Sequence, residues 1–106
     1  MGARLNHTIV WCRDSPRSAG FLAEMLGRPA PVPFGPFMVV ELDNEVSLDY
    51  RSTDGTIASQ HYAFLISEAE FDQAFARITG QGRGVYFPDP DGHLLEVITR
   101  PYGSGG

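Results

Sequence analysis

Residues 85–97 read Val85-Tyr86-Phe87-Pro88-Asp89-Pro90-Asp91-Gly92-His93-Leu94-Leu95-Glu96-Val97. The middle, Asp89-Pro90-Asp91-Gly92, has the composition of a tight turn. Residues 84–88 before it and 93–99 after it are mostly apolar, and each reads as a strand. The second arm carries a carboxylate, Glu96, between Leu95 and Val97. Side chains alternate along a strand, so Glu96 shares a face with Leu94 and Ile98. A charge on an apolar face is costly unless it is paired or bound to a metal.

Upstream of this hairpin, Ser67-Glu68-Ala69-Glu70 forms a Ser-x-x-Glu capping box, which opens a helix. Phe71, Ala74, Phe75 and Ile78 follow at helical spacing, and Gly80 and Gly82 end it. Residues 61–66, starting at His61, read as a strand, and the polar stretch 52–59 as a linker. The same order precedes the linker. Residues 5–11 are a strand containing His7. Asp14-Ser15-Pro16 starts a helix that runs to about Leu26 and stops at Gly27. Four prolines in 29–36 indicate an extended loop or weak edge strand. Residues 37–42 and 46–50 pair as a hairpin across Asp43-Asn44-Glu45. The fold class is therefore α+β, with one supersecondary pattern used twice, over about 4–51 and 60–100. Neither half buries its apolar faces easily alone.

The bulk properties limit the function. A chain of 106 residues is one domain by the usual length prior. Its net charge is −5, with no basic cluster, which disfavours nucleic acid. One cysteine, Cys12, forms no intramolecular disulfide, so a disulfide scaffold is excluded. Its place in an apolar run reads as a small buried side chain. No apolar run has the roughly 20 residues that span a bilayer. The reading is a cytoplasmic protein without a membrane partner.

Each half opens on a histidine, Asn6-His7-Thr8 and Gln60-His61-Tyr62. Each closes on a strand with a carboxylate, Leu48-Asp49-Tyr50 and Leu95-Glu96-Val97. Each signal alone is weak, because most such residues are structural or solvated, but their matched placement raises them. Imidazole with carboxylate suits zinc, iron, nickel, cobalt or manganese. His93 faces opposite to Glu96 and is read as a non-ligand.

These residues resemble the vicinal oxygen chelate superfamily, which includes glyoxalases, bleomycin resistance proteins and extradiol dioxygenases. The resemblance rests on Asp89-Pro90-Asp91-Gly92 with the trailing Glu96, and on Asn6-His7 with its following helix. It implies two βαβββ modules that pair into a cupped mixed sheet or open barrel, with helices outside. It implies one divalent metal held by His7, His61 and Glu96, with Asp49 as fourth ligand or base where glyoxalase-type members more often have Glu. A further strand is expected before residues 84–88, where only Gln81-Gly82-Arg83 stand, so the second module reads as shortened, either by a real deletion filled by another chain in a dimer or because a loop is absent from this sequence. The implied chemistry is bidentate chelation of vicinal oxygens of a small molecule by the metal, in a lyase, isomerase or dioxygenase. A homodimer is expected. Trp11, Tyr62, Phe64 and Tyr86 are candidates to line a pocket, and Arg51 and Arg83 to meet a thiol-conjugate substrate. The rivals are a bleomycin-type drug-binding protein without turnover, and a remnant that keeps the ligands but has lost the reaction.

Overall fold

The computed structural model describes residues 2–80 and 85–100. The chain divides into two compact units, Met1–Ile57 and Ala58–Gly106. The boundary falls within the polar stretch read as a linker. Among the described residues no helix is long and apolar enough to cross a membrane.

In the first unit, β1 (His7–Cys12) leads into α1 (Ser15–Leu26), followed by β2 (Val32–Phe34), β3 (Phe37–Glu41) and β4 (Ser47–Ser52). The helix bounds follow from its caps. Asp14 has extended backbone and its side chain accepts from the Arg17 N–H, while Gly27 takes the left-handed conformation at φ 67°. The sheet order is β1-β4-β3-β2. β1 runs parallel to β4, which the intervening helix allows. β2 and β3 form a tight hairpin closed by Phe34 opposite Phe37. Gly35, at φ 56°, supplies the positive φ that the first turn position of such a hairpin needs.

Alternation sorts this sheet into two faces. Val10, Cys12, Val40, Leu48 and Tyr50 are buried together with Ala19, Leu22, Ala23 and Met25 of α1, and α1 packs on β3 and β4. The other face carries His7, Ile9 and Trp11 of β1, with Asp49 and Arg51 of β4 opposite Ile9 and Trp11. Within this unit no helix covers it.

The second unit repeats the plan with β5 (His61–Leu65), α2 (Glu68–Gly80), β6 (Tyr86–Pro88) and β7 (Leu94–Ile98). The capping box forms in both directions. The Glu70 N–H donates to Ser67 Oγ at 3.1 Å, and the Ser67 N–H donates to Glu70 Oε1 at 3.1 Å. The sheet order is β5-β7-β6, with β5 parallel to β7. This matches β1-β4-β3 of the first sheet, less the outer strand. Residues 81–84, where the shortening was read, lie outside the described residues. Phe64, Phe87, Leu95 and Val97 are buried on one face, and Ala74 and Ile78 of α2 are buried as well. Phe75 is 43% exposed and stacks on Phe71, with ring centroids 5.9 Å apart. It borders the core rather than joining it.

Candidate metal centre

The two units position their histidines and carboxylates by the same register. In the first, Ile9, two residues after His7, lies opposite Asp49. In the second, Ala63, two residues after His61, lies opposite Glu96. Each carboxylate is thus diagonal to its histidine, on the same sheet face.

The second pair makes contact. His61 Nε2 is 3.1 Å from Glu96 Oε1. The Glu96 side chain is nearly buried, while that of His61 is about half exposed. Two donors about 2.1 Å from one ion, at an angle of roughly 90–110°, stand about 3.0–3.4 Å apart. The pair therefore has the spacing of neighbouring ligands. It also supplies the borderline nitrogen and hard oxygen that first-row divalent ions accept.

The first pair does not make contact. Asp49 Oδ1 accepts the Ser47 hydroxyl at 2.8 Å. His7 Nδ1 donates to Asn6 Oδ1 at 2.7 Å. With the amide oxygen as acceptor, the His7 proton sits on Nδ1 and the Nε2 lone pair is directed away from Asn6. Metal-binding histidines are commonly oriented in this way. Among the described residues, no group of three His, Cys, Asp or Glu side chains comes together. The structure thus joins His61 to Glu96 in one unit and prepares His7 in the other. From the sequence, Asn6 was quoted with His7 but given no role, and Ser47 was not singled out. The bond from His7 to Asn6 could have been anticipated from their adjacency, but the role of Ser47 depends on its pointing to the same face as Asp49.

An open cleft of about 430 Å³ lies on the uncovered face of the first sheet. His7, Ser47 and Asp49 border it, as do Val32, Phe34 and Phe37. Its size is within the usual range for a small-molecule site.

The four pocket-lining candidates divide by strand parity. Trp11 shares the face of His7, and Tyr86 lies opposite Glu96 on its face. Tyr62 and Phe64 do not belong with them. They alternate with His61 and Ala63, and they pair with the buried Leu95 and Val97. They face the core under α2, so neither lines a pocket with His61.

His93 is fully buried, and its Nδ1 accepts the Gln60 N–H at 3.0 Å. That bond anchors the start of β5 to the turn before β7. The same turn is tied by Asp89. Its Oδ1 accepts the N–H groups of Asp91 and His93 at 2.9 and 3.0 Å, while its buried Oδ2 has no partner among the described residues. Burial pushes the Asp89 carboxyl upward, and the two backbone N–H groups and His93 only partly offset this. Burial, and then the nearby Asp89 charge, raise the Tyr62 phenol in turn.

A carboxyl raised in the folded state binds its proton more tightly there than in the unfolded chain. Its stabilisation is complete below the unfolded value and is lost as pH rises through the folded one. Asp89→Asn cannot acquire the charge. The stability of this variant relative to wild type should therefore improve as pH rises through the acid range and then level off. Thermal melts of both proteins from pH 3 to 8 read this directly. A difference independent of pH would show that Asp89 titrates as freely in the folded protein as in the unfolded chain.

Comparison with known proteins gives this geometry a family. No protein-family model matches the sequence. A solved structure named Oxidase ChaP-H1 is 48% identical, covers 97% of this chain and all of its own, and superposes with a TM-score of 0.91. Glutathione transferase FosA of Serratia marcescens is 29% identical over 88% of this chain and 78% of its own length. Metallothiol transferase FosB of Shouchella clausii is 37% identical over 54 residues. That match spans 37% of each protein, well under half of the relative's length. A glyoxalase/dioxygenase from Nostoc punctiforme shares the fold at 21% identity and a TM-score of 0.71, over 93% of this chain and 92% of its own. The chain belongs to the vicinal oxygen chelate superfamily.

As a vicinal oxygen chelate protein it is α+β, with a histidine on the first strand of each module and a carboxylate on the last. Its departure from the glyoxalase-type pattern lies at Asp49. The residue takes the register in its own sheet that Glu96 takes in the second, but it is one methylene shorter than Glu and accepts a hydrogen bond from Ser47.

Proposed function

We propose that the protein is a metal-dependent enzyme of the oxidase or dioxygenase type, which acts on a small molecule bearing two adjacent oxygens. His7, His61 and Glu96 would hold the ion, which could be iron, zinc, nickel, manganese or cobalt. The observation that carries this reading is the contact between His61 Nε2 and the buried Glu96 carboxylate; the same diagonal register, without the contact, places His7 and Asp49 on one face of the first sheet. A buried carboxylate facing an imidazole is costly unless both are used.

A bound ion supplies Lewis acidity to the two substrate oxygens and leaves positions for them beside three protein ligands. The chain's own residues do the rest. Asn6 keeps His7 in the tautomer that presents Nε2. Ser47 holds Asp49 by its Oδ1, so that this carboxylate does not take a fourth position. The apolar border of the cleft excludes water from a substrate body lying between Val32, Phe34 and Phe37. The short, hydrogen-bonded Asp49 favours oxygen chemistry over a lyase or isomerase, in which a loosely held carboxylate acts as base. The 48%-identical protein called an oxidase supports the same choice. A drug-binding reading of the bleomycin type draws on the same cleft but leaves the burial of Glu96 against His61 without a purpose. Action in the cytoplasm as a homodimer is part of the same proposal.

Elemental mass spectrometry after anaerobic incubation with each of the five ions tests the reading. The wild type should hold close to one ion per chain, and His7→Ala and His61→Ala should each lose it. No retained metal with any ion would overturn the proposal and leave the drug-binding reading.

A further inference from the structure

At the far end of the uncovered face from His7 stands Arg51. Its register partners are Trp11 on β1 and Phe37 on β3, and its guanidinium carbon lies 5.8 Å from the centre of each ring. The guanidinium is thus held by cation–π contact on two sides. Among the described residues it makes no ion pair or hydrogen bond. The nearest carboxylate along the strand, Asp49, is directed to Ser47 instead. A stacked guanidinium has lost much of its rotational freedom and keeps all its donors, which lowers the cost of binding an anionic oxygen group.

The cleft on this face connects the two ends, since both His7 and Phe37 border it. His7 and Trp11 are four residues apart on β1, a separation of about 13 Å in an extended strand. Between them lie Ile9 and, across the sheet, Val39, whose backbone partners place them on the same face. His7 thus stands at one end of the cleft as a candidate metal ligand, its floor is apolar, and Arg51 stands just past its other end, stacked on the bordering Phe37, as a fixed cation.

We propose that Arg51 is a specificity-determining residue that binds an anionic oxygen group of the substrate. The substrate class is then an elongated molecule with vicinal oxygens at one end, an apolar body, and a carboxylate or similar anion at the other. This rests on the metal reading above for the first end only.

The test uses two probe pairs. The first is a catechol with a four-methylene tail ending in carboxylate, and its primary amide. The second pair lacks the two hydroxyls. Binding is followed by calorimetry and by emission of Trp11, the single tryptophan of the chain, with metal-loaded wild type and Arg51→Gln. Metal content and melting temperature are measured on the same samples. The wild type should prefer carboxylate over amide by about tenfold or more in both pairs. Arg51→Gln should abolish that preference while affinity for the amides, metal content and melting temperature stay unchanged. If the wild type shows no preference, or the Gln variant keeps it, the arginine proposal is overturned. If the hydroxyls add no affinity and no metal is retained, while the carboxylate preference persists and depends on Arg51, the metal reading fails and the arginine stands.

Discussion

Replacing Glu96 with glutamine should weaken metal binding by at least about a hundredfold, because loss of an orienting residue around a metal site already costs 10–100-fold and Glu96 is read as a ligand itself. The substitution preserves shape and one acceptor oxygen, so the bond with His61 survives in neutral form. It removes a charge that is buried on β7, where its strand neighbours are Ala63 and Tyr86. In wild type without metal, the desolvation of that charge is offset by its protein partners, the His61 imidazole among them, and such partners rarely match hydration in full. The metal-free glutamine variant should therefore melt at or above the temperature of metal-free wild type, even as it loses the ion. Competition with a chelator of known affinity, beside thermal melts, measures both quantities. Unchanged affinity would remove Glu96 from the ligand set. A folded variant with lower metal-free stability would mean that the carboxylate is there for structure.

The second large effect concerns Phe87. It is fully buried on β6 opposite Leu95, in a unit whose buried apolar side chains, among the described residues, include only Phe64, Ala74, Ile78, Leu95 and Val97 besides. Removing a buried phenyl ring costs about 3–5 kcal/mol through lost transfer energy and the cavity left behind. A small domain has only about 5–15 kcal/mol in total. Phe87→Ala should therefore shift the urea midpoint far down or leave the second unit unfolded at room temperature. Phe75→Ala, on the exposed edge of α2, should move it little. Comparable losses in both variants would mean that the core is not organised around β6.

Much of this arrangement was legible from local chemistry. Asp14 and Gly27 bound α1, and Ser67 with Glu70 opens α2, because caps are written in residues only a few positions apart. The turn at Asp89–Gly92 was legible for the same reason. The positions of His7, His61, Asp49 and Glu96 at the first and last strands of the two halves could be read from their repetition. The identical diagonal register could not, since it depends on β1 and β5 pairing in parallel with strands about 40 and 33 residues later. Tyr62 and Phe64 were read as candidates to line a pocket, although parity with His61 puts them on the core side. Aromatic character suggested a pocket, and the two-residue period overrides that suggestion. The Arg51 stack depends on sheet order, which brings Trp11 and Phe37 to the two sides of one residue.

The outer strand of the first sheet has a consequence for how the protein behaves at high concentration. β2 is three residues long, and Val32 and Phe34 are largely exposed, a composition that invites another chain to add to the edge. In a two-residue hairpin closed by Phe34 and Phe37, the next residue, Pro33, falls at a non-bonded position whose amide would point outward. Proline has no amide hydrogen there. The inner ladder loses nothing, while the outer edge lacks the donor that an incoming strand would need. An edge that must stay apolar to border the cleft is thus denied the means to template a fibril.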